Sequence, residues 1–211
     1  MHKLIPIAFF MFWSLNSFCQ HRAFTPIEDT AKFKSKFFSV AIQTNSIKCD
    51  FIQEKNMSMI SEKITSKGEF WFKKESKVRM EYTQPFQYLI IINQNRIYIK
   101  DRLNENTIST KGNKLFRQIS QIIADCVQGT ILNNPEFKIS IFESDQAYKI
   151  EMIPTSKGLK DFFKNINITV DKKTYTVSKV EMIELTDDNT IISFLNRENN
   201  TNIPDALFYI K

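Results

Sequence analysis

The 211-residue sequence predicts a mainly β (α+β) protein, with one strongly curved antiparallel sheet of ten or eleven strands and two amphipathic helices. From Ser46 onward, apolar residues alternate with polar ones in short runs that end at turn residues. This pattern is typical of antiparallel strands with one buried face. Ten or eleven strands are too many for a small flat sheet, so the sheet should curl. Two other segments repeat their apolar residues at helical spacing, without the strand–helix–strand alternation of a parallel sheet.

The N-terminus has the order of a secretory signal peptide. A positive start at Lys3 precedes an apolar run, residues 4–15, that is too short to span a bilayer. A small residue at Cys19 suits cleavage before Gln20. The sequence therefore predicts a signal peptide at residues 1–19.

The same cysteine leaves a second interpretation open, that of a lipid-anchored protein. A lipoprotein signal also places a cysteine at the cleavage point, but it requires a small residue before it, and Phe18 is bulky. We therefore expect export without an anchor. The remaining residues, 20–211, are enough for one domain with a sizeable core.

A helix is predicted at the start of the mature chain. Thr25 offers a capping hydroxyl, Pro26 stands at the first helical position, and Glu28 lies three residues after the cap. Apolar residues then recur at helical spacing, at Phe33, Phe37, Val40 and Ala41. Such a stripe requires a partner surface.

The first strands after this helix share one apolar face. The alternating residues assigned to that face are Ile47, Cys49, Phe51, Phe70, Phe72, Val78, Met80 and Tyr82. The opposite register would bury Trp71, Arg79 and Glu81 and is disfavoured, because it places unpaired charges inside. Later strands are predicted at 136–143, 147–153, 162–170, 174–185 and 190–196.

A second helix interrupts the strands between Asn113 and Gly129, which suit its two ends. Its apolar stripe consists of Leu115, Phe116, Ile119, Ile122, Ile123, Cys126 and Val127. The two helices are the available cover for the apolar face of the sheet. They either fill the space with an ordinary aromatic core or leave a cavity for a ligand.

Composition argues against most enzymes and against nucleic-acid binding. Loss of Lys3 with the signal peptide lowers the net charge from +6 to +5, and this mild excess forms no basic stripe or motif. His21 is the single histidine after cleavage and lies at the new terminus, which excludes histidine-based nucleophilic catalysis. No phosphate loop or nucleophile elbow is present. We therefore expect a protein that is not an enzyme and needs no metal or cofactor.

Two cysteines, Cys49 and Cys126, follow the predicted cleavage point. An oxidising compartment would permit a disulfide between them. The alternative is a pair of buried thiols that act as small hydrophobic residues, and free cysteine is often buried in this way.

Three consecutive segments resemble the LolA family of periplasmic lipoprotein carriers. They are Ile47-x-Cys49-x-Phe51-x-Gln53-x-Lys55, Gly68-Glu69-Phe70-Trp71-Phe72-Lys73-Lys74, and Arg79-Met80-Glu81-Tyr82-Thr83-Gln84-Pro85. The hairpin at 89–101 and the closing stretch at 192–208 also fit the family pattern. Each motif is loose, but their order and spacing together are fairly specific, and the resemblance extends from about Thr25 to Lys211.

The resemblance implies an incomplete eleven-stranded barrel with a helical lid over an apolar cavity. Such carriers are periplasmic monomers that take acylated lipoproteins from an inner-membrane export complex. They then deliver the cargo to an outer-membrane receptor. On this basis the apolar face defined above is the expected acyl-chain site, and the underside of the lid is expected to consist of Ile119, Ile122, Ile123 and Cys126.

One residue departs from the family pattern. Members often end the second strand with an Arg-Pro pair, and that arginine bonds to backbone carbonyls of the lid and keeps the empty carrier closed. Here the pair is Lys74-Glu75. Lys74 is either a looser latch, with a point charge in place of a rigid fork of donors, or a solvated residue at a strand end.

Three other functions remain open on the same fold. The chain could be an envelope sensor of misplaced lipoproteins, although such proteins usually carry a further domain. It could carry another lipid or a polyene-type product, or it could hold an enzyme site. Fold alone does not separate these functions.

Overall fold

The computed structural model describes residues 23–94, 96–109, 122–123 and 125–210. The predicted signal peptide, residues 1–19, lies outside these described residues. The strands are β1 (Thr25–Pro26), β2 (Ser46–Met57), β3 (Glu62–Lys73), β4 (Lys77–Gln84), β5 (Tyr88–Asn93), β6 (Arg96–Lys100), β7 (Glu105–Ser109), β8 (Phe137–Glu143), β9 (Ala147–Pro154), β10 (Phe163–Asp171), β11 (Val177–Glu184) and β12 (Asn189–Asn199). The helices whose full bounds the structure describes are α1 (Thr30–Gln43) and the short α2 (Lys157–Lys160), and 3-10 turns occupy Thr130–Asn133 and Asp205–Phe208. Residues 122–123 and 125–128 are also helical and lie within the second predicted helix, whose other residues up to 121 are outside the described chain.

All twelve strands belong to one antiparallel sheet in the order β1-β8-β9-β10-β11-β12-β2-β3-β4-β5-β6-β7. The sheet does not close, because β1 and β7 are its two edges. This architecture confirms the predicted mainly β, incomplete barrel. The count exceeds eleven because the two residues Thr25 and Pro26 form a short edge strand.

The predicted start of the first helix is wrong. Thr25 and Pro26 pair with Glu143 and Phe142 of β8 instead of opening the helix. The helix begins at Thr30, and its N-cap is Asp29, whose side chain accepts a hydrogen bond from the backbone N–H of Lys32 at 2.8 Å. Proline is compatible with an edge strand, where no neighbouring strand needs its missing N–H.

Helix α1 lies against the inner face of the sheet. Phe33 and Phe37 are almost fully buried, and the Phe33 ring contacts the ring of Tyr148 on β9 at a centroid distance of 4.5 Å. These residues belong to a core cluster over β8–β11, and a second cluster covers the same face of β2–β6. The apolar stripe of α1 therefore has the partner that its sequence requires.

The last part of the chain covers the outer face of the sheet. Ile203 and Phe208 pack with Trp71, Ile91 and Tyr98 into a third buried cluster on this face. No sequence pattern indicated this cluster, because the period of two identified only the inward face of β3 and β4.

Polar contacts hold this C-terminal segment in place. The side chain of Lys73 donates to the carbonyl of Ile203 at 2.9 Å, and Arg79 donates to the carbonyl of Leu207 at 3.1 Å. Asp205 lies 3.1 Å from the ammonium groups of both Lys73 and Lys77, and these two cations lower its pKa. Arg79 also stacks over the ring of Trp71. Strands β3 and β4 therefore use their outward side chains as a docking surface.

Candidate functional site

An apolar cavity of about 470 Å³ lies between the inner face of the sheet and the helices. This volume is within the range of about 300–1,000 Å³ that is usual for ligand pockets. The helical side of the wall includes Phe37, Val40, Ala41, Ile122, Ile123, Cys126 and Val127. The strand side includes Ile47, Cys49, Phe70, Val78, Met80, Tyr82, Ile90, Ile92, Ile97, Ile99, Ile166, Val180, Met182, Ile192 and Phe194.

The structure brings together most of the residues that the sequence assigned to the cavity. Six of them line it, namely Ile47, Cys49, Phe70, Val78, Met80 and Tyr82. The remaining two, Phe51 and Phe72, are buried in the same cluster but are not part of the cavity wall. The Phe51 ring lies edge-on to the Tyr82 ring at 4.9 Å, so it supports the wall from the side.

The predicted lid residues fall partly within the described chain. Ile122, Ile123 and Cys126 line the cavity, while Ile119 lies outside the described residues. Gly129 follows this helical segment in the left-handed conformation, with φ of 73°. An added Cβ there would lie 2.8 Å from the Cβ of Ala41, so glycine allows the end of the lid segment to approach α1 closely.

Lys74 contacts helix α1 in the structure. Its ammonium group donates to the carbonyl of Ile42 at 2.9 Å, and its backbone N–H donates to the carbonyl of Asn45. Asn200 also reaches this end of the helix, with a side-chain bond of 3.0 Å to the carbonyl of Gln43. The carbonyls at the C-terminus of α1 are thus held by two exposed side chains. The family resemblance implied a latch residue that bonds to backbone carbonyls of the lid. Lys74 makes such a bond, and the carbonyl belongs to Ile42 of α1.

Polar side chains lie at two ends of the cavity. Tyr82 is the one among them that the sequence pattern assigned to the cavity wall. Near one end, Tyr82 donates to the Gln53 side chain at 2.9 Å, and burial raises the pKa of Tyr82 to about 12. Glu184 lies at the same end, paired with Lys55. Near the other end lies Arg197, which no sequence motif indicated.

Arg197 faces the cavity because of a β-bulge. On β12, Leu195 pairs with Asp50 and Glu198 pairs with Lys48, so that two residues of β12 oppose Cys49 alone. The first of these two, Asn196, has a φ of 52°. The extra residue reverses the in–out alternation and turns the arginine inward, which is a common effect of bulges.

The cavity is also lined by Cys49 and Cys126, which are free thiols and are the cysteines of the described residues. Burial raises the pKa of Cys49 to about 12, against a smaller opposing effect from Arg197, and burial raises the pKa of Cys126 in the same way. The two cysteines are thus unbonded and protonated in the structure, as the alternative of two buried thiols predicts.

We expect both thiols to resist alkylation in the folded protein. With a pKa near 12, a thiol at about pH 8 is ionised in only about one molecule in 10⁴, and the thiolate is the reactive form. Labelling by iodoacetamide, followed by mass spectrometry, should therefore be about a hundredfold slower than labelling of the same protein in guanidinium chloride, because the greater nucleophilicity of a high-pKa thiolate only partly offsets its scarcity. Rapid labelling of the folded protein, or a disulfide in the purified protein, would contradict this.

An open antiparallel sheet that wraps around one apolar, ligand-sized cavity defines a half-barrel binding protein. The family described as outer membrane lipoprotein carrier protein LolA matches residues 42–211. The chain belongs to the LolA family. The description of this family is that of a carrier and not of an enzyme. No curated protein matches the chain.

Several solved structures are similar to this chain at low sequence identity. An uncharacterised conserved protein from Thermus thermophilus has a TM-score of 0.52 at 8% identity, with 87% of this chain and 96% of that chain covered. A LolA superfamily protein from Nitrosomonas europaea has a TM-score of 0.46 at 8% identity, with 85% and 96% covered. Lipoprotein LppX from Mycobacterium tuberculosis has a TM-score of 0.40 at 10% identity, with 83% and 100% covered.

Two further properties concern the described residues alone. None of their helices combines the length and the apolar character that a membrane span needs. Within the same residues, no three acidic, cysteine or histidine side chains are arranged to hold a metal ion.

Proposed function

We propose that this protein is a periplasmic carrier that shelters the acyl chains of lipoproteins and moves them from the inner to the outer membrane. The observation that supports this most directly is the apolar cavity between the curved sheet and the helices. The signal peptide predicted at residues 1–19 supports an envelope location, where such cargo has to cross an aqueous space. The proposed partners are an inner-membrane export complex, from which cargo is taken, and an outer-membrane receptor.

The energetics favour a protein-enclosed route for such cargo. Each CH₂ group buried from water contributes about 0.8 kcal/mol, so an acyl chain cannot leave a membrane unaided at a useful rate. The cavity wall offers the aliphatic and aromatic surface that replaces the membrane interior. A carrier of this kind holds its ligand without chemistry, so we propose that the protein is not an enzyme.

Release and uptake require the wall to open, and the end of α1 is the part held by few exposed contacts. The side chains of Lys74 and Asn200 each donate one hydrogen bond to a carbonyl at this end, and the Lys74 backbone N–H donates another to the carbonyl of Asn45. Exposed hydrogen bonds contribute little net free energy, about 1 kcal/mol each. Helix α1, together with the lid segment that touches it near Gly129, is therefore our proposed moving cover.

The cavity assignment is tested by Ile192→Glu, which places a carboxylate on the wall. Ile192 lines the cavity and is half-buried, so the strand can tolerate the change better than at a fully buried position. We expect at least a hundredfold loss of lipoprotein affinity, because burying an unpaired charge costs about 3 kcal/mol or more. Co-purification of lipoprotein with the protein from its own envelope, measured by native mass spectrometry, provides the readout.

The matched control is Ile153→Glu, since Ile153 on β9 is 43% exposed and lies outside the cavity wall. This variant should bind as the parent protein does. Equal binding by both variants, with thermal unfolding showing that both are folded, would contradict the cavity assignment. A co-purified free lipid or pigment in place of lipoprotein would instead favour a carrier of another lipid.

A further inference from the structure

Arg197 is a charged residue in a wall that is otherwise mostly apolar. Its Nε donates to the Asn199 side chain at 2.8 Å, and one terminal nitrogen donates to the carbonyl of Val177 at 3.3 Å. Both partners are neutral, and no described residue accepts a hydrogen bond from the second terminal nitrogen. Two of the five guanidinium donors are therefore used, and the fork that suits a carboxylate or phosphate is only partly engaged.

Within the part of the chain that the structure describes, no acidic side chain hydrogen-bonds to the guanidinium or acts as its main counter-charge. Cys49 is the ionisable group with the main effect on it, and burial keeps that thiol protonated at neutral pH. Burial also lowers the pKa of Arg197, which means that its charge is partly removed from water. Buried charges in proteins are normally paired, because desolvation is costly.

The bulge at Asn196 and Arg197 shows that this inward position is built into the strand. Continuing the alternation from Ile192 and Phe194 would point residue 196 inward and leave the arginine on the outer face. The side chain of Asn196 instead donates to Asp50 at 2.7 Å on the outside. Its left-handed backbone is one that asparagine adopts more readily than most residues.

The dimensions of the cavity fit one chain with its head at Arg197. Val177, which bonds to the guanidinium, begins β11, and Glu184 at the other end of the cavity is the last residue of that strand. Seven residues of β-strand span about 23 Å. One leaflet of a bilayer's hydrocarbon core, by comparison, is about 15 Å thick. An acyl chain of about 15 Å with a small headgroup therefore fits within the roughly 23 Å between Val177 and Glu184.

We infer that Arg197 binds the anionic headgroup, a carboxylate or a phosphate, of a single-chain lipid whose tail fills the cavity. This inference rests on the proposed acyl-chain cavity, and it adds a ligand class beyond lipoproteins. The headgroup completes the hydrogen bonding of the guanidinium fork and supplies the missing counter-charge. The neighbouring apolar side chains hold the tail.

The test compares three ligands with the same sixteen-carbon chain, namely palmitate, hexadecyl phosphate and hexadecanol, on the protein that starts at Gln20. At about pH 8 the two acids are ionised and the alcohol is neutral. We expect at least one acid to bind about ten- to hundredfold more tightly than hexadecanol, as a hydrogen bond to a charged group predicts. The more tightly bound acid identifies the headgroup as carboxylate or phosphate.

Arg197→Met keeps the length and removes the charge, so it should abolish the preference for the acid and leave hexadecanol binding within about twofold. Arg197→Lys should retain part of the preference. The matched control is Lys179→Met, which removes an exposed cation from the outer face of β11 and should preserve the preference. Calorimetry supplies the affinities, and thermal unfolding checks that each variant is folded.

The outcomes separate this inference from the proposed function. Equal binding of all three ligands by the parent protein, or an undiminished preference in Arg197→Met, would overturn the role of Arg197 and leave the acyl-chain cavity intact. If none of the three ligands binds, the headgroup site is overturned and the cavity itself comes into question, which the Ile192→Glu experiment then decides.

Discussion

Replacing Phe208 with alanine is expected to destabilise the fold by about 3–5 kcal/mol, the usual cost of removing a buried phenylalanine ring. The ring is fully buried against the outer face of the sheet, in the cluster that contains Trp71 and Ile91. Its loss also weakens the contacts that join the C-terminal segment to β4 and β5, such as the bond of Asn93 to the Phe208 carbonyl. The segment should therefore detach before the rest of the sheet unfolds.

Trp71 provides a direct measurement of this detachment. The chain has two tryptophans, Trp13 and Trp71, and only the second remains in a protein that starts at Gln20. Trp71 is 8% exposed in the intact structure, so uncovering it should shift its fluorescence to longer wavelength. The matched control is Tyr209→Ala, because Tyr209 is the next residue along the chain and is 71% exposed.

That control should leave both the emission and the denaturant midpoint nearly unchanged. An unshifted emission in Phe208→Ala, together with a stability close to that of the parent protein, would mean that the segment does not protect the outer face.

Gly68→Ala should also be strongly destabilising, by about 3 kcal/mol or more, because overpacking by one methyl group already costs about 1–3 kcal/mol where the neighbours can adjust. Here they can adjust little. An added Cβ would lie 2.1 Å from the carbonyl oxygen of Glu81 and 2.8 Å from the ring of Phe51. The first of these atoms belongs to the backbone of the neighbouring strand, so β3 and β4 would have to separate.

The effect of Gly68→Ala should reach the cavity through Phe51, whose ring supports that of Tyr82 on the cavity wall. Thr65→Ala is the control on the same strand, since Thr65 is exposed and alanine adds no atom there. Urea unfolding of both variants gives the difference in stability. A midpoint for Gly68→Ala within experimental error of the parent value would contradict the close approach of the two strands.

The inner face of β2–β4 was predictable because its side chains follow a strict period of two. A slip of one residue would bury the charged pair of Arg79 and Glu81 in the apolar interior, where desolvation is costly even for paired charges, so a single register satisfies the sequence. The period of two does not distinguish Phe51 and Phe72, which support the cavity wall, from the residues that line it. Their position depends on how far the sheet curves at each strand, which local alternation does not specify.

The start of the first helix shows why a good local signal can fail. Thr25, Pro26 and Glu28 form a plausible capping sequence, yet Asp29 supplies the cap four residues later. Thr25 and Pro26 gain backbone pairing with β8, a strand more than a hundred residues away in sequence. A long-range partner of this kind competes with local propensity and is invisible to it.

The sequence by itself determined the antiparallel alternation, the apolar face of the first helix and the resemblance to lipoprotein carriers, because each depends on patterns within short stretches of the chain. Only the tertiary structure decided the cover on the outer face and the polar end of the cavity. Trp71 is buried by Phe208, and Arg197 is turned inward by a bulge opposite Cys49. Both features arise where distant segments meet. The apolar cavity that the family resemblance implied therefore has a charged residue, Arg197, at one end, which the alternation pattern did not indicate.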